Sequence, residues 1–470
     1  MRPLLTVCLL TSLFLMTSGC GVDDEGKTGG PDPNPTAEGS EITSNETSPE
    51  KSKPEKPEPE KEKAKPKPKK PSLQVAEEFR FSSEPKIQLT NDELRDGWIQ
   101  LFDGQTLFGW APNNDANWHV TETGEIEASQ GSSPGLLVTT VPFADYELRC
   151  DYWMSKGGNS GIFLRTPAIP TAPTKDCYEL NICDSHPTFK TASLVGRAQP
   201  STAVTGEETW KTFHVKVEGQ RIEVTLDGES VLDFEDETEY LRTSGFIGLQ
   251  QNEGLIRFRN VFLKPLGGAN LNNGTNLANW HPVAGSQSSF DIDQEQIQVK
   301  GGSGFLETND TWDDFVLQFE GRTNGAGLNG GVFFRLIPGT EEAPSHGYEL
   351  QIEHVFLDDD RTKPKDDAGT GGIFRRSQAR WVMPNDREDF YTTLIAYGPQ
   401  ISTWVNGIQM TDWKDTRKAD DNPRRGSKVA AGPMSLQGHD DGTDISFGYF
   451  RVGTYPKGDA ASLDVPVSGK

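Results

Sequence analysis

The sequence predicts an all-β protein: two tandem antiparallel sandwiches of the jelly-roll kind behind a disordered tether. Three observations carry this reading over 470 residues. First, the chain repeats itself. Leu101-Phe102-Asp103-Gly104 through Gly109-Trp110 returns as Leu271-Asn272-Asn273-Gly274 through Asn279-Trp280. Asn159-Ser160-Gly161-Ile162-Phe163-Leu164-Arg165 returns as Asn329-Gly330-Gly331-Val332-Phe333-Phe334-Arg335. Tyr178-Glu179-Leu180-Asn181-Ile182 returns as Tyr348-Glu349-Leu350-Gln351-Ile352, and all three pairs stand at an offset of 170. A period this long marks two copies of one domain rather than a solenoid. Second, short runs of β-branched and aromatic residues alternate with polar ones between Gly, Pro, Asn and Asp. Third, no stretch keeps a helical apolar period over three turns.

Taken in order, the chain opens on Arg2, an apolar run from Leu4 to Met16, and Thr17-Ser18-Gly19-Cys20. Residues 1–20 thus have the layout of a signal segment, too short to span a bilayer. The segment resembles the lipobox of bacterial lipoproteins. The resemblance implies a lipid on Cys20 and an anchor in the cell envelope outside the cytoplasm; plain secretion is the alternative. Residues 21–90 hold few large apolar side chains, and 51–71 is a Lys-Pro-Glu run. Such a segment buries too little surface to offset its ordering entropy, and its prolines favour an extended spacer of roughly 3.1 Å per residue. Asn91-Asp92-Glu93-Leu94 fits one short helix.

The formal charge is −24, and residues 51–70 contribute nine Lys and four Glu, so the remainder carries −29. An acidic surface repels phosphate backbones, which argues against a nucleic-acid partner. With Cys8 in the signal and Cys20 lipidated, Cys150, Cys177 and Cys183 remain. Cys177 and Cys183 are too far apart along one strand to bridge. Cys150 paired with either, or three small buried hydrophobes, are both open.

Tyr146–Trp153 alternates cleanly, Lys156-Gly157-Gly158-Asn159 turns, and Ser160–Arg165 returns. Lys211–Leu226 reads as two strands around Glu218-Gly219-Gln220. Asp227-Gly228 and, in the second copy, Asn406-Gly407 carry the signature of type I′ hairpins. Gly245–Gln250 with Ile256–Leu263 closes the first copy, and Gly432–Gln437 with Ile445–Val452 the second. About ten extra residues enter the second copy after Tyr348, around Asp358–Lys365.

These motifs together resemble the 3-keto-disaccharide hydrolase domain family. The matching elements are Leu101–Gly104 with Gly109-Trp110, Gly158–Arg165, Tyr178–Asp184, Gly248-Leu249-Gln250, and Thr191–Gly196 with its second copy Thr370–Arg375. The matches cover 98–266 and 267–456. The resemblance implies concanavalin A-like jelly rolls with a sheet facing a sugar, and cleavage of glycosides already oxidised at C3. The second copy departs in having Asn272-Asn273-Gly274 for Phe-Asp-Gly and His354, preceded by Glu353, for Asp184.

A C3 ketone acidifies the C2 proton. A base can remove it, the C1 substituent departs, and water adds back. The route needs a base, a stabiliser for the enolate and an acid for the leaving oxygen. Strand alternation places Glu179 away from the apolar set Tyr178, Leu180 and Ile182, where Arg165 from the next strand is expected to meet it. On this reading Glu179 is the base and Arg165 its electrostatic partner. Asn159 and Asn181 bind sugar hydroxyls, and Asp184, at the strand end, serves as acid or as a ligand-positioning group. Glu349, Arg335, Asn329, Gln351 and His354 repeat these roles. The competing reading is an Arg–Glu pair that only pins register. Trp404, beside the Asn-Gly hairpin, is the expected exposed sugar platform, although sandwiches bury most of their aromatics. Asp358-Asp359-Asp360 and Asp440-Asp441 lack the spacing of a calcium loop, so Ca2+ has weak support, and no other cofactor or metal is expected. No zinc-like histidine spacing, nucleophile elbow, P-loop or dinucleotide fingerprint occurs. The functional alternative is a non-catalytic, lectin-like carbohydrate-binding surface protein; a structural spacer is a third reading.

Overall fold

The computed structural model describes residues 75–366 and 368–456. The signal segment, Cys20 and most of the tether lie outside the described residues. Two sandwiches follow each other, each made of one eight-stranded and one five-stranded antiparallel sheet. In the first, the five-stranded sheet runs in the order Trp110–Pro112, Gly135–Thr139, Phe246–Gln251, Ser160–Thr166, Tyr178–Ile182. In the second it runs Trp280–Pro282, Gly304–Thr308, Ser435–Gly438, Asn329–Phe334, Tyr348–Glu353. The sheets are non-sequential in strand order, as a jelly roll requires. The apolar alternation of each strand points inward: Leu148, Ile162, Tyr178, Leu180, Leu249 and Phe258 fill the first core, and Leu317, Val332, Leu350, Leu436 and Phe447 the second.

The hairpin expectation is met in backbone terms. Asp227 and Gly228 have φ of 51° and 86°, and Asn406 and Gly407 have 48° and 80°, the two positive values of a type I′ turn. The short helix spans Asn91–Asp96, with Thr90 and Glu93 forming a capping box and Gly97 ending it at φ 100°. Cys150, Cys177 and Cys183 are all buried and free, so the small-hydrophobe reading holds.

Residues 75–90, which composition assigns to the tether, are packed rather than loose. Phe81 meets Trp381, and Ser82 and Ser83 donate to Gln105. The two sandwiches share a buried contact. Arg380 of the second reaches Asp103 of the first at 2.8 Å, donates to the Phe79 carbonyl, and lies between the Phe81 and Phe108 rings. Asp103 also accepts from the Gln105 and Thr106 amides, so the Phe-Asp-Gly motif is a turn that anchors an interdomain ion pair. In the second copy Asn273 closes the same turn by accepting from the Thr275 and Asn276 amides, while Asn272, in the place of Phe102, donates to the Glu295 carbonyl. The Asp-to-Asn departure therefore concerns this turn, not sugar chemistry.

Candidate functional site

Glu179 and Glu349 occupy equivalent places on the outer face of the two five-stranded sheets. Their neighbours Tyr178, Leu180 and Ile182, and Tyr348, Leu350 and Ile352, all enter the cores. Each glutamate leans over a glycine on the adjoining strand. A Cβ on Gly161 would sit 3.3 Å from Glu179 Cγ, and one on Gly331 3.2 Å from Glu349 Cγ. Glycine here leaves the sheet floor bare beneath the carboxylate. The next strand brings Gln250 to Glu179, its Nε2 3.4 Å from Oε1. Its equivalent is Gln437, and both glutamine Oε1 atoms are buried without a protein partner. Burial raises each carboxyl to about 7. For Glu179 only the Gln250 hydrogen bond opposes the rise; for Glu349 the charges of Arg424, His439 and Arg375 oppose it. Phe163 and Phe333 lie opposite the two glutamates in register, and a carboxyl poised near neutrality on such a partly apolar sheet face is suited to taking up a proton.

The outer edge of that strand is held by the Thr-Gly-like segments the sequence singles out. Asn181 and Glu179 exchange backbone bonds with Ala192, Ser193 and Val195, and Gln351 and Glu349 with Gly371, Gly372 and Phe374. The left-handed residue in this cap is Gly371 (φ 89°) in one copy and Ala192 (φ 70°) in the other.

The arginine half of the expectation is corrected. Arg165 is 1% exposed and Arg335 fully buried, and neither side chain meets its glutamate. Arg165 donates to the carbonyls of Ala144, Gly219 and Arg242 and pairs with Asp145 at 2.6 Å. Arg335 does the same with Asp313, Gly398, Lys428 and Asp314. Their φ values of 48° and 49° break the period-two alternation, and the Ser160–Thr166 strand slips register there against Phe246–Gln251. A bulged residue turns its side chain off the expected face. Both arginines are framework residues that tie loops together.

Asp184 likewise serves a loop, accepting from Thr191 Oγ1 and the Gly206 and Glu207 amides. His354 is buried against Phe390, 3.5 Å from Asp386. Burial holds its imidazole down at about 4, leaving it neutral and unsuited to giving a proton at pH 7. Asn181 spends its amide on the Phe189 carbonyl. Gln351 donates to Asn329 at 3.0 Å and keeps Oε1 unpartnered, so those two do meet beside Glu349. Asn159 lies at the sheet margin, its backbone bridged to Glu253. Trp404 is corrected outright. It is 2% exposed, packs in the first core, and donates its indole N–H to the Gln100 carbonyl. Among the described residues no group of three or more His, Cys, Asp or Glu is arranged around a metal position.

The sequence places Glu353 only as the neighbour of His354 and assigns it no role. Glu353 shares a face with Glu349 and Gln351 and sits opposite Asn329 in register. It is 1% exposed, with Oε2 unpartnered, and is raised to about 7 by burial and then by Asp366. The alternation Glu349, Gln351, Glu353 was the available signal; the first copy has Cys183 there.

A family model described as the 3-keto-alpha-glucoside-1,2-lyase-like domain matches residues 97–264 and again 267–452. A 3-keto-disaccharide hydrolase of Bacteroides thetaiotaomicron is 26% identical over 232 residues, covering 36% of this chain and 79% of that protein. A solved structure from Parabacteroides distasonis is 23% identical, with a TM-score of 0.35 over 38% of this chain and 99% of that one. A carbohydrate-binding module of Bacillus subtilis is 19% identical, with a TM-score of 0.27 over 33% and 95%. The two matched segments together span most of the sequence, and the chain belongs to the 3-keto-alpha-glucoside-1,2-lyase-like domain family.

Proposed function

We propose that this chain is a carbohydrate-active hydrolase that cleaves 3-keto-glycosides, with a sheet-face glutamate as the base. The observation that carries the reading is the duplicated carboxyl, Glu179 and Glu349, raised to about 7 over a bare glycine floor. The base takes the C2 proton, and the C2–H electrons pass into the enolate of the C3 ketone. The enolate then expels the C1 oxygen, which leaves with a proton. Water adds across the C1–C2 double bond, its oxygen going to C1 and a proton to C2, so the net change is hydrolysis. Gln250 or Gln437, each with a free carbonyl oxygen, accepts from a sugar hydroxyl beside the base. A single base at C2 suffices, unlike the paired carboxylates that flank C1 in ordinary glycosidases.

The test is incubation of the protein with 3-keto-trehalose, 3-keto-sucrose and the unoxidised sugars. Monosaccharide release from the keto forms alone supports the reading. Binding of unoxidised sugar with no release from any substrate sinks it and leaves the lectin-like alternative.

We further propose export and lipid anchoring, on the strength of Arg2, the Leu4–Met16 run and Cys20. Radiolabelled palmitate should enter the wild-type chain and not Cys20→Ser; equal labelling would refute the anchor.

A further inference from the structure

The buried arginines leave the reaction without the cation first assigned to it, and the two copies differ in what else they offer. Arg375 follows Phe374, whose amide donates to the Glu349 carbonyl, and Arg424 is bonded to Ser345, four residues before Glu349; both guanidiniums, with His439, bear electrostatically on the Glu349 carboxyl. The first copy has Gly196 in the place of Arg375 and Asn252 in the place of His439. Arg424 stands on a loop extension. Asp415 and Lys428, which serve Tyr348, are thirteen positions apart, whereas Asp236 and Arg242, which serve Tyr178, are six apart.

The extension is held in place. Arg424 donates through Nε and Nη2 to the Ser345 carbonyl and hydroxyl, both at 2.9 Å, and Arg376 donates to the Arg424 carbonyl. Arg375 has a φ of 58° where the first copy places glycine at 76°. A side chain is costly in that conformation, so the second copy accepts backbone strain to put a guanidinium there. Arg375 and Arg424 are exposed, and among the described residues no ion pair within 4.0 Å joins either of them, or His439, to the Glu349 carboxylate.

We propose that Arg375 and Arg424 form an anion-stabilising rim in the second sandwich alone, and that this copy performs the turnover by holding the enolate oxygen while Glu349 takes the C2 proton. The assignment rests on the reaction proposed above. The rim is built to meet negative charge on a sugar, which the first sandwich is not.

The experiment uses the full chain with Arg375→Gly, Arg424→Ala and the double variant. Arg375→Gly installs the first copy's residue and relieves the positive φ, so folding is retained. In the double variant kcat on a 3-keto-disaccharide should fall about 10- to 100-fold with KM nearly unchanged. The acid limb of the pH profile should move to higher pH, because Arg424, His439 and Arg375 all lower the Glu349 value. A rim that only braces a loop would move neither. Unchanged kcat with an unmoved limb overturns the proposal. A second arm is independent of turnover: binding of D-gluconate at pH 6, where Glu349 is mostly protonated and does not repel the anion. Gluconate should bind wild type at least fivefold more tightly than the double variant, and equal binding overturns the rim. If wild type cleaves no 3-keto-glycoside, the proposed reaction fails and the gluconate arm alone decides whether the rim exists.

Discussion

The same glutamate sits in two different electrostatic settings. Only Gln250 opposes the effect of burial at Glu179, whereas Arg424, His439 and Arg375 oppose it at Glu349. Both carboxyls nonetheless reach about 7, because burial on the sheet face outweighs everything else near them. The duplicated scaffold thus fixes the base, and the private loops of each copy decide what surrounds it. The two framework arginines teach the converse. Arg165 and Arg335 have equivalent partners throughout, which is what a structural role preserves and a functional one does not require.

The widest expected gap between the copies is in turnover. Glu349→Gln should lower kcat/KM on a 3-keto-disaccharide by about 10²–10⁴, the usual worth of a general base. The loss in Glu179→Gln should be at least tenfold smaller by the same assay. Equal losses would break the comparison.

The arginines should behave alike. Arg165→Ala and Arg335→Ala each leave carbonyls and an aspartate without their buried donor. Each should destabilise the protein by about 3 kcal/mol in denaturant unfolding. Unaffected stability in either would contradict the framework assignment.

The third prediction concerns pH. Each glutamate is raised from an ordinary 4.5, so the folded protein holds protons that the unfolded chain releases. The stability these groups contribute is full below 4.5 and falls as pH rises through about 7. Both Gln variants should therefore be more stable than wild type at pH 8, on the order of 1 kcal/mol or more, and equal to it at pH 4. A gain that does not depend on pH would argue for a packing effect.

The smallest contrast lies in the edge cap. Gly371→Ala puts a Cβ 2.6 Å from Val405 Cγ2 at positive φ and should cost about 2 kcal/mol. Ala192→Gly, at the equivalent site, should stay within about 0.5 kcal/mol of wild type, relief of strain offsetting lost chain stiffness. Thermal unfolding of both variants sharpens how far the copies have adapted separately.

Much of the fold was legible because its signals are local. Period-two alternation marked the strands, and Asp227-Gly228 and Asn406-Gly407 marked hairpins whose φ values are both positive. The same alternation put Glu179 and Glu349 on the open face. It failed at Arg165, where one left-handed residue breaks the register, and composition alone does not announce a bulge. It failed again at Trp404, whose burial comes from Gln100, 304 residues away in the chain. Arg380 and Asp103 are likewise an interdomain pair that no local pattern could reveal. The rim cations were hidden for another reason. Arg424 lies in a loop extension and His439 beyond a strand end, where spacing carries no face.

The most direct test is a carboxyl-carbon NMR titration of the selectively labelled glutamates in the full chain. Three resonances should titrate near pH 7, one vanishing in Glu179→Gln, one in Glu349→Gln, and the third, from Glu353, persisting in both. The Glu179 and Glu349 carboxyls titrating between about 4 and 5, as exposed glutamates do, would contradict a desolvated base on either sheet.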